Sequence, residues 1–104
     1  MPGFIDIHTH GAGGFDFSDG TPEAFEAITE FKLREGVTTL LPTTACASKE
    51  QLRKVAEAAA QYARNPRYAK TPGLHLEGPF ISPKQLGAMN PEFVRSPDIE
   101  EIRA

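Results

Sequence analysis

The chain has 104 residues, of which 39% are hydrophobic and 24% charged, with a formal net charge of −3. This is ordinary globular composition, without the basic footprint of a nucleic-acid binder and without an apolar run of about 18 residues that could span a membrane as a helix. The single cysteine, Cys46, cannot close an internal disulfide, which fits a reducing compartment, and the Met1-Pro2-Gly3 start lacks the basic region of a secretory signal, so the cytoplasm is the expected location.

Residues 4–8 read as a strand in which polar and apolar side chains alternate. Positions two apart share a face, which predicts Asp6, His8 and His10 on one side and Ile5 and Ile7 buried on the other. Residues 11–20, rich in Gly and Asp, read as a loop, with Asp16 and Asp19 capping its turns. A helix starts at Thr21 as N-cap, with Pro22 in the first turn. Its buried stripe is Ala24, Ala27, Ile28 and Phe31, and Gly36 stops it. Residues 37–41 form a second strand ended by Pro42, with Cys46 a small packed residue just beyond it. Ser48 and Gln51 have capping-box spacing for a helix whose stripe is Leu52, Val55, Ala56, Ala59 and Ala63, broken at Asn65-Pro66. Residues 73–77 make a third strand, with His75 and Glu77 on one face and Leu74 and Leu76 on the other. Residues 78–95 form a long loop of the kind that often lines a binding site, and Ser96-Pro97-Asp98 begins another helix.

Strand, helix, strand, helix, strand implies an α/β fold of parallel strands joined by right-handed crossovers. No repeat, linker or charge block divides the chain, so it reads as one domain. In parallel α/β folds the chemistry lies at the carboxyl ends of the strands. His8 and His10 sit at one such end and Glu77 at another, like two walls of one metal site, and two imidazoles with a carboxylate suit a borderline divalent ion. A His-x-His pair alone is equally compatible with surface or capped histidines, and Glu77 alone with a solvated strand end. The Gly11-x-Gly13-Gly14 run imitates a dinucleotide loop, but no helix opens at its last glycine.

The segment from Pro2 to Gly11, PGFIDIHTHG, resembles the opening barrel strand of the amidohydrolase superfamily. The segment from Gly73 to Phe80, GLHLEGPF, with Gly87-Ala88 and Asn90-Pro91 after it, narrows the resemblance to the N-acetylglucosamine-6-phosphate deacetylases. The resemblance implies a partial TIM-type (β/α)8 barrel, since a complete barrel takes about 250 residues. It further implies metal-assisted hydrolysis of a sugar acetamide, with one or two divalent ions, zinc foremost and iron or manganese as options. Glu77 matches the family's glutamate ligand, and His8 and His10 match a pair that can hold a second ion. Asp6 and His75 stand behind the ligands as groups that orient an imidazole, or as simple hydrogen-bonded interior residues. Gly87 and Ala88 match a place where backbone meets the N-acetyl sugar, or they form a tight turn. Met89 departs from the His or Gln that many relatives carry there.

Two further histidine ligands and the acid/base aspartate of the family lie on later strands, so residues 1–104 contain no catalytic residue and are expected to be inactive alone. The implied partner is a small amino-sugar phosphate, and the implied assembly a homodimer. Arg95 and Lys84 read as solvated loop charges rather than phosphate ligands. Two other readings stand beside this one: a cyclic-amide hydrolase of the same superfamily, which His75 to Phe80 fits poorly, and a non-catalytic metal-binding module.

Overall fold

A computed structural model describes residues 2–82, 84 and 91–103. Among these residues, five strands are interleaved with helices: β1 (Phe4–Thr9), β2 (Gly11–Ala12), β3 (Phe15–Asp16), α1 (Pro22–Arg34), β4 (Val37–Thr44), α2 (Lys49–Arg64), β5 (His75–Leu76) and α3 (Ile99–Arg103). The main sheet has the order β1-β4-β5, with both pairings parallel. Each crossover carries one helix, the connection that parallel neighbours require. This β-α-β-α-β order is the repeating unit of a (β/α)8 barrel.

One apolar core forms between the helices and the sheet. Phe17, Ala24, Phe25, Ile28, Leu40 and Val55 are fully buried, and Ala58, Tyr62 and Ala69 close the cluster. Phe17 and Phe25 meet edge to face with ring centroids 4.8 Å apart, a favoured aromatic geometry. The Tyr62 hydroxyl donates to Ala69 O at 2.8 Å and accepts from Tyr68 N at 3.1 Å, so its burial leaves no unmet polar atom and ties α2 to the chain leading into β5.

Both helix starts form as the sequence predicts. Thr21 Oγ1 accepts from Ala24 N at 3.2 Å and Ser48 Oγ from Gln51 N at 3.1 Å. The second is only half of a capping box, because the Gln51 side chain donates to Ser18 O instead of returning to its own N-cap. The reciprocal box occurs between Asp16 and Asp19 around the 3-10 turn at Phe17–Asp19.

The buried stripes are rotated from their predicted positions. In α1 they run through Ala24, Phe25, Ile28 and Thr29, leaving Phe31 43% exposed, and in α2 through Val55, Ala58 and Tyr62, leaving Ala56 and Ala63 exposed. Leu52 and Ala56 instead line an open groove with Leu74, Leu76, Phe80 and Ile102.

Three boundaries differ as well. Residues 11–16 are a hairpin rather than a plain loop. Gly13 and Gly14 both have positive φ, +60° and +86°, which a two-residue type I′ turn demands and which Gly-Gly supplies without strain. β4 continues through Pro42 to Thr44. Pro42 lies opposite Thr9 beside a register irregularity in β1, and proline is tolerated at such bulges because a ladder hydrogen bond is already missing there. β5 is shorter than predicted. Lys70 bonds both Thr38 O and Leu40 N at 2.9 Å, but the ladder resumes only at His75, after Pro72, which has no N–H to offer. Among the described residues no helix is long and apolar enough to cross a membrane.

Candidate metal centre

The strand order brings the ends of β1 and β5 together across β4. His8 Nε2 lies 3.2 Å and His10 Nε2 2.8 Å from the same oxygen, Glu77 Oε2. One donor atom from each of the three residues lies within 4.8 Å of the other two. Residues 67 positions apart in sequence thus share one point, on a face that remains open: the three side chains are between 38% and 46% exposed.

Hydrogen bonds fix how the donors present themselves. His10 Nδ1 is 3.1 Å from Thr43 O. A carbonyl only accepts, so Nδ1 carries the proton, and in the neutral ring Nε2 turns a lone pair toward Glu77. Oε2 of Glu77 is itself buried and makes no hydrogen bond. The short His10–Glu77 approach is therefore lone pair against lone pair unless a cation, either a proton or a metal ion, stands between them. A nitrogen-nitrogen-oxygen set converging on an orphaned carboxylate oxygen, with one imidazole steered by a backbone carbonyl, fits a divalent ion.

His75 is not among the three converging groups. Its Nδ1 donates to Ile7 O at 3.2 Å, reaching over β4 to β1, and its ring stands edge-on to that of His8 with centroids 5.0 Å apart. Asp6 departs from the sequence expectation. It lies opposite Leu40, a core residue, and its Oδ2 is 3.9 Å from Lys32 Nζ on α1. The alternation breaks between Asp6 and Thr9, where β1 is out of step with β4. Asp6 consequently faces the helices while the imidazoles face away from them, and its Oδ1 accepts from His8 N at 3.1 Å. Ile5 and Ile7, the neighbours of Asp6 on either side, point away from the helices instead and are 69% and 67% exposed, where the sequence pattern predicts burial.

Gly87 and Ala88 lie outside the described residues. Cys46 is buried at the end of β4, and burial pushes its thiol pKa up. Lys84 is exposed, but Arg95 is no solvated loop charge. Its guanidinium holds the Glu101 carboxylate at both oxygens and donates to Ala47 O at 3.0 Å and Phe93 O at 2.9 Å. Its backbone N also bonds Pro79 O at 3.2 Å, so it fastens the segment before α3 to the turn after Glu77. The sequence signal for this clasp is weak, since a single Arg and a Glu six residues on have many possible partners.

The Arg95 hydrogen bond holds the Glu101 carboxyl below its ordinary range. A carboxyl whose folded pKa is depressed stabilises the fold above the ordinary glutamate range, and that contribution is lost as pH falls through the lowered value. The protection of the α3 amides in the full-length protein, measured against the intrinsic exchange rate at each pH, is expected to fall over that acid window. In Glu101→Gln the acid step should vanish; a step that persists would refute the assignment.

The chain is thus an α/β segment of barrel type with a two-histidine, one-carboxylate cluster at its strand ends. The amidohydrolase family profile matches residues 1–104, and the chain belongs to that family. It is 36% identical over 102 residues to an N-acetylgalactosamine-6-phosphate deacetylase of Escherichia coli O157:H7, an alignment that covers 97% of this chain and 27% of the relative. The crystal structure of N-acetylglucosamine-6-phosphate deacetylase from Thermotoga maritima superposes with a TM-score of 0.88 at 38% identity, covering 99% of this chain and 28% of that one. A mutant of the Mycobacterium smegmatis N-acetyl-D-glucosamine-6-phosphate deacetylase, solved with N-acetyl-D-glucosamine-6-phosphate, superposes at 0.85 and 37% identity, covering 98% and 26% of the two chains. The chain thus spans about a quarter of the length of these relatives, and its fold is a partial (β/α)8-type barrel.

Proposed function

We propose that residues 1–104 are one incomplete domain, the opening part of a catalytic barrel that hydrolyses the acetamide of N-acetylglucosamine 6-phosphate to glucosamine 6-phosphate and acetate. The observation that carries this reading is the meeting of His8 and His10 on a buried Glu77 oxygen that has no hydrogen bond. It stands in a chain similar along nearly its whole length to amino-sugar-phosphate deacetylases.

Zinc suits the donor set best, and iron or manganese fit it as well, with one or two ions per site. Once bound, such an ion supplies Lewis acidity toward the acetamide carbonyl and toward water. The chain's own residues prepare the place. Glu77 contributes the negative charge, His10 presents Nε2 because its other nitrogen is engaged by Thr43 O, and His8 closes on the same oxygen. His75 steadies β1 through the Ile7 carbonyl and lies against the His8 ring. Asp6 holds the His8 backbone N–H from the helix side. Gly87 and Ala88 are assigned to backbone contact with the N-acetyl sugar, and the acid/base aspartate to a later strand. The enzyme is read as a cytoplasmic homodimer.

The test is acetate release by the full-length protein. Turnover of N-acetylglucosamine 6-phosphate, lost on chelation and restored by added zinc, iron or manganese, is the expected result, with none from residues 1–104 alone. Hydrolysis of a cyclic amide instead would favour the other branch of the superfamily, and no hydrolysis of either would favour a non-catalytic module. The galactosamine relative gives a second reading, the C4 epimer as substrate. The ratio of kcat/KM for the two sugars decides between them.

A further inference from the structure

We propose that Thr43 is a positioning residue for the metal centre, holding the β1 tip in the out-of-step register that turns both imidazoles toward Glu77. The proposal rests on the metal reading above. The β1–β4 ladder shifts twice in opposite senses: from Phe4 to Ile5 one step on β1 meets two on β4, and from Asp6 to Thr9 three steps meet two, so the bulge between Asp6 and Thr9 restores the register of the strand's start. Such a bulge has to be held in place, because a slip of one residue moves side chains to the opposite face.

Thr43 supplies that anchor. Its hydroxyl accepts from Thr9 N at 3.1 Å and donates to Leu41 O at 3.1 Å. Its carbonyl accepts a hydrogen bond from His10 Nδ1 at 3.1 Å. Thr9 is the residue between the two histidines, so one fully buried side chain sets the backbone from which both imidazoles project. Thr43 also lies in register with His75 on β5, two residues before Glu77, so the same residue stands between both halves of the centre. Valine has nearly the same shape but cannot accept, and it would leave the Thr9 N–H buried without a partner, a state the strand would distort to escape.

The test is zinc binding by the full-length protein in competition with a chromogenic chelator. Thr43→Val is expected to bind zinc about 10–100-fold more weakly, the usual effect of losing a group that orients a ligand. The visible absorption of the cobalt-substituted protein should shift, and Thr43→Ser, which keeps the hydroxyl, should return both readouts to near the parent values. Circular dichroism verifies folding, and Thr43→Ala is read in the same way if the valine variant does not fold. A lower melting temperature with unchanged zinc affinity and cobalt spectrum would overturn the proposal, leaving Thr43 a residue of the fold alone. No zinc uptake by the parent protein would overturn the metal reading and this one with it.

Discussion

Replacing Glu77 with Gln in the full-length protein is expected to cut kcat/KM by about 10³-fold or more, beyond the 10–100-fold typical of a lost outer partner. Bound metal should fall well below that of the parent. The substitution keeps the shape and one oxygen but removes the charge, so it separates electrostatics from packing. Two stability measurements sharpen the expectation. Oε2 is buried and makes no hydrogen bond, so the substitution removes none and takes a charge out of a poorly solvated place, and the metal-free variant should be no less stable than the parent. The metal-loaded parent should gain stability over the variant by linkage, about 2.7 kcal/mol when free metal is 100 times its Kd. Unchanged metal content and rate in Glu77→Gln would show that His8 and His10 meet this carboxylate as a plain ion pair.

The largest effect on stability is expected one residue further on. Gly78 has φ +88°, and a Cβ built there would come within 2.4 Å of Cys46 Sγ. Gly78→Ala combines two costs: a left-handed backbone for a residue with a Cβ, about 1–2 kcal/mol, and overpacking against a buried thiol, about 1–3 kcal/mol. Together they predict about 2–5 kcal/mol of destabilisation, read from the denaturant midpoint of the full-length protein. Adding Cys46→Ala should recover the steric part and leave the backbone part, so the double-mutant cycle must be non-additive. Because Gly78 follows Glu77 directly, Gly78→Ala is also expected to weaken metal binding. A neutral Gly78→Ala would mean that the turn after β5 is free to move and does not hold the carboxylate.

Local chemistry made much of this molecule legible in advance. Thr21-Pro22 and Ser48 start helices because hydroxyl caps and an early proline act within one turn of their own position. The Asp98 carboxylate accepts from Glu100 N at 3.0 Å, and α3 begins where Ser96-Pro97-Asp98 predicts. The strand order followed from alternation of elements, and His8, His10 and Glu77 were visible because each lies at the end of an apolar strand. Even the hairpin had a signal in Gly13-Gly14, hidden because the surrounding Gly and Asp residues look like plain loop.

What went astray was whatever depends on a neighbour far along the chain. The side of α2 that is buried follows from Tyr62 reaching Ala69 and from Leu52 facing a groove. The 3.6-residue period alone cannot tell that arrangement from one rotated by a residue. Perfect alternation puts Asp6 with the imidazoles; the bulge between Asp6 and Thr9 separates them and leaves Asp6 beside Lys32. Arg95 reads as a loop charge until Glu101, Ala47 and Phe93 are brought around it.

The order of residues by itself determined the two long helices, the parallel three-strand topology and the identity of the three converging groups, since each is encoded within a few positions. Only the tertiary structure decided that those groups meet on a single carboxylate oxygen and that Thr43 stands behind them. The physical reason is register: how far one strand slides along another is set by contacts between distant segments, and a shift of one residue turns a side chain from one face of the sheet to the other.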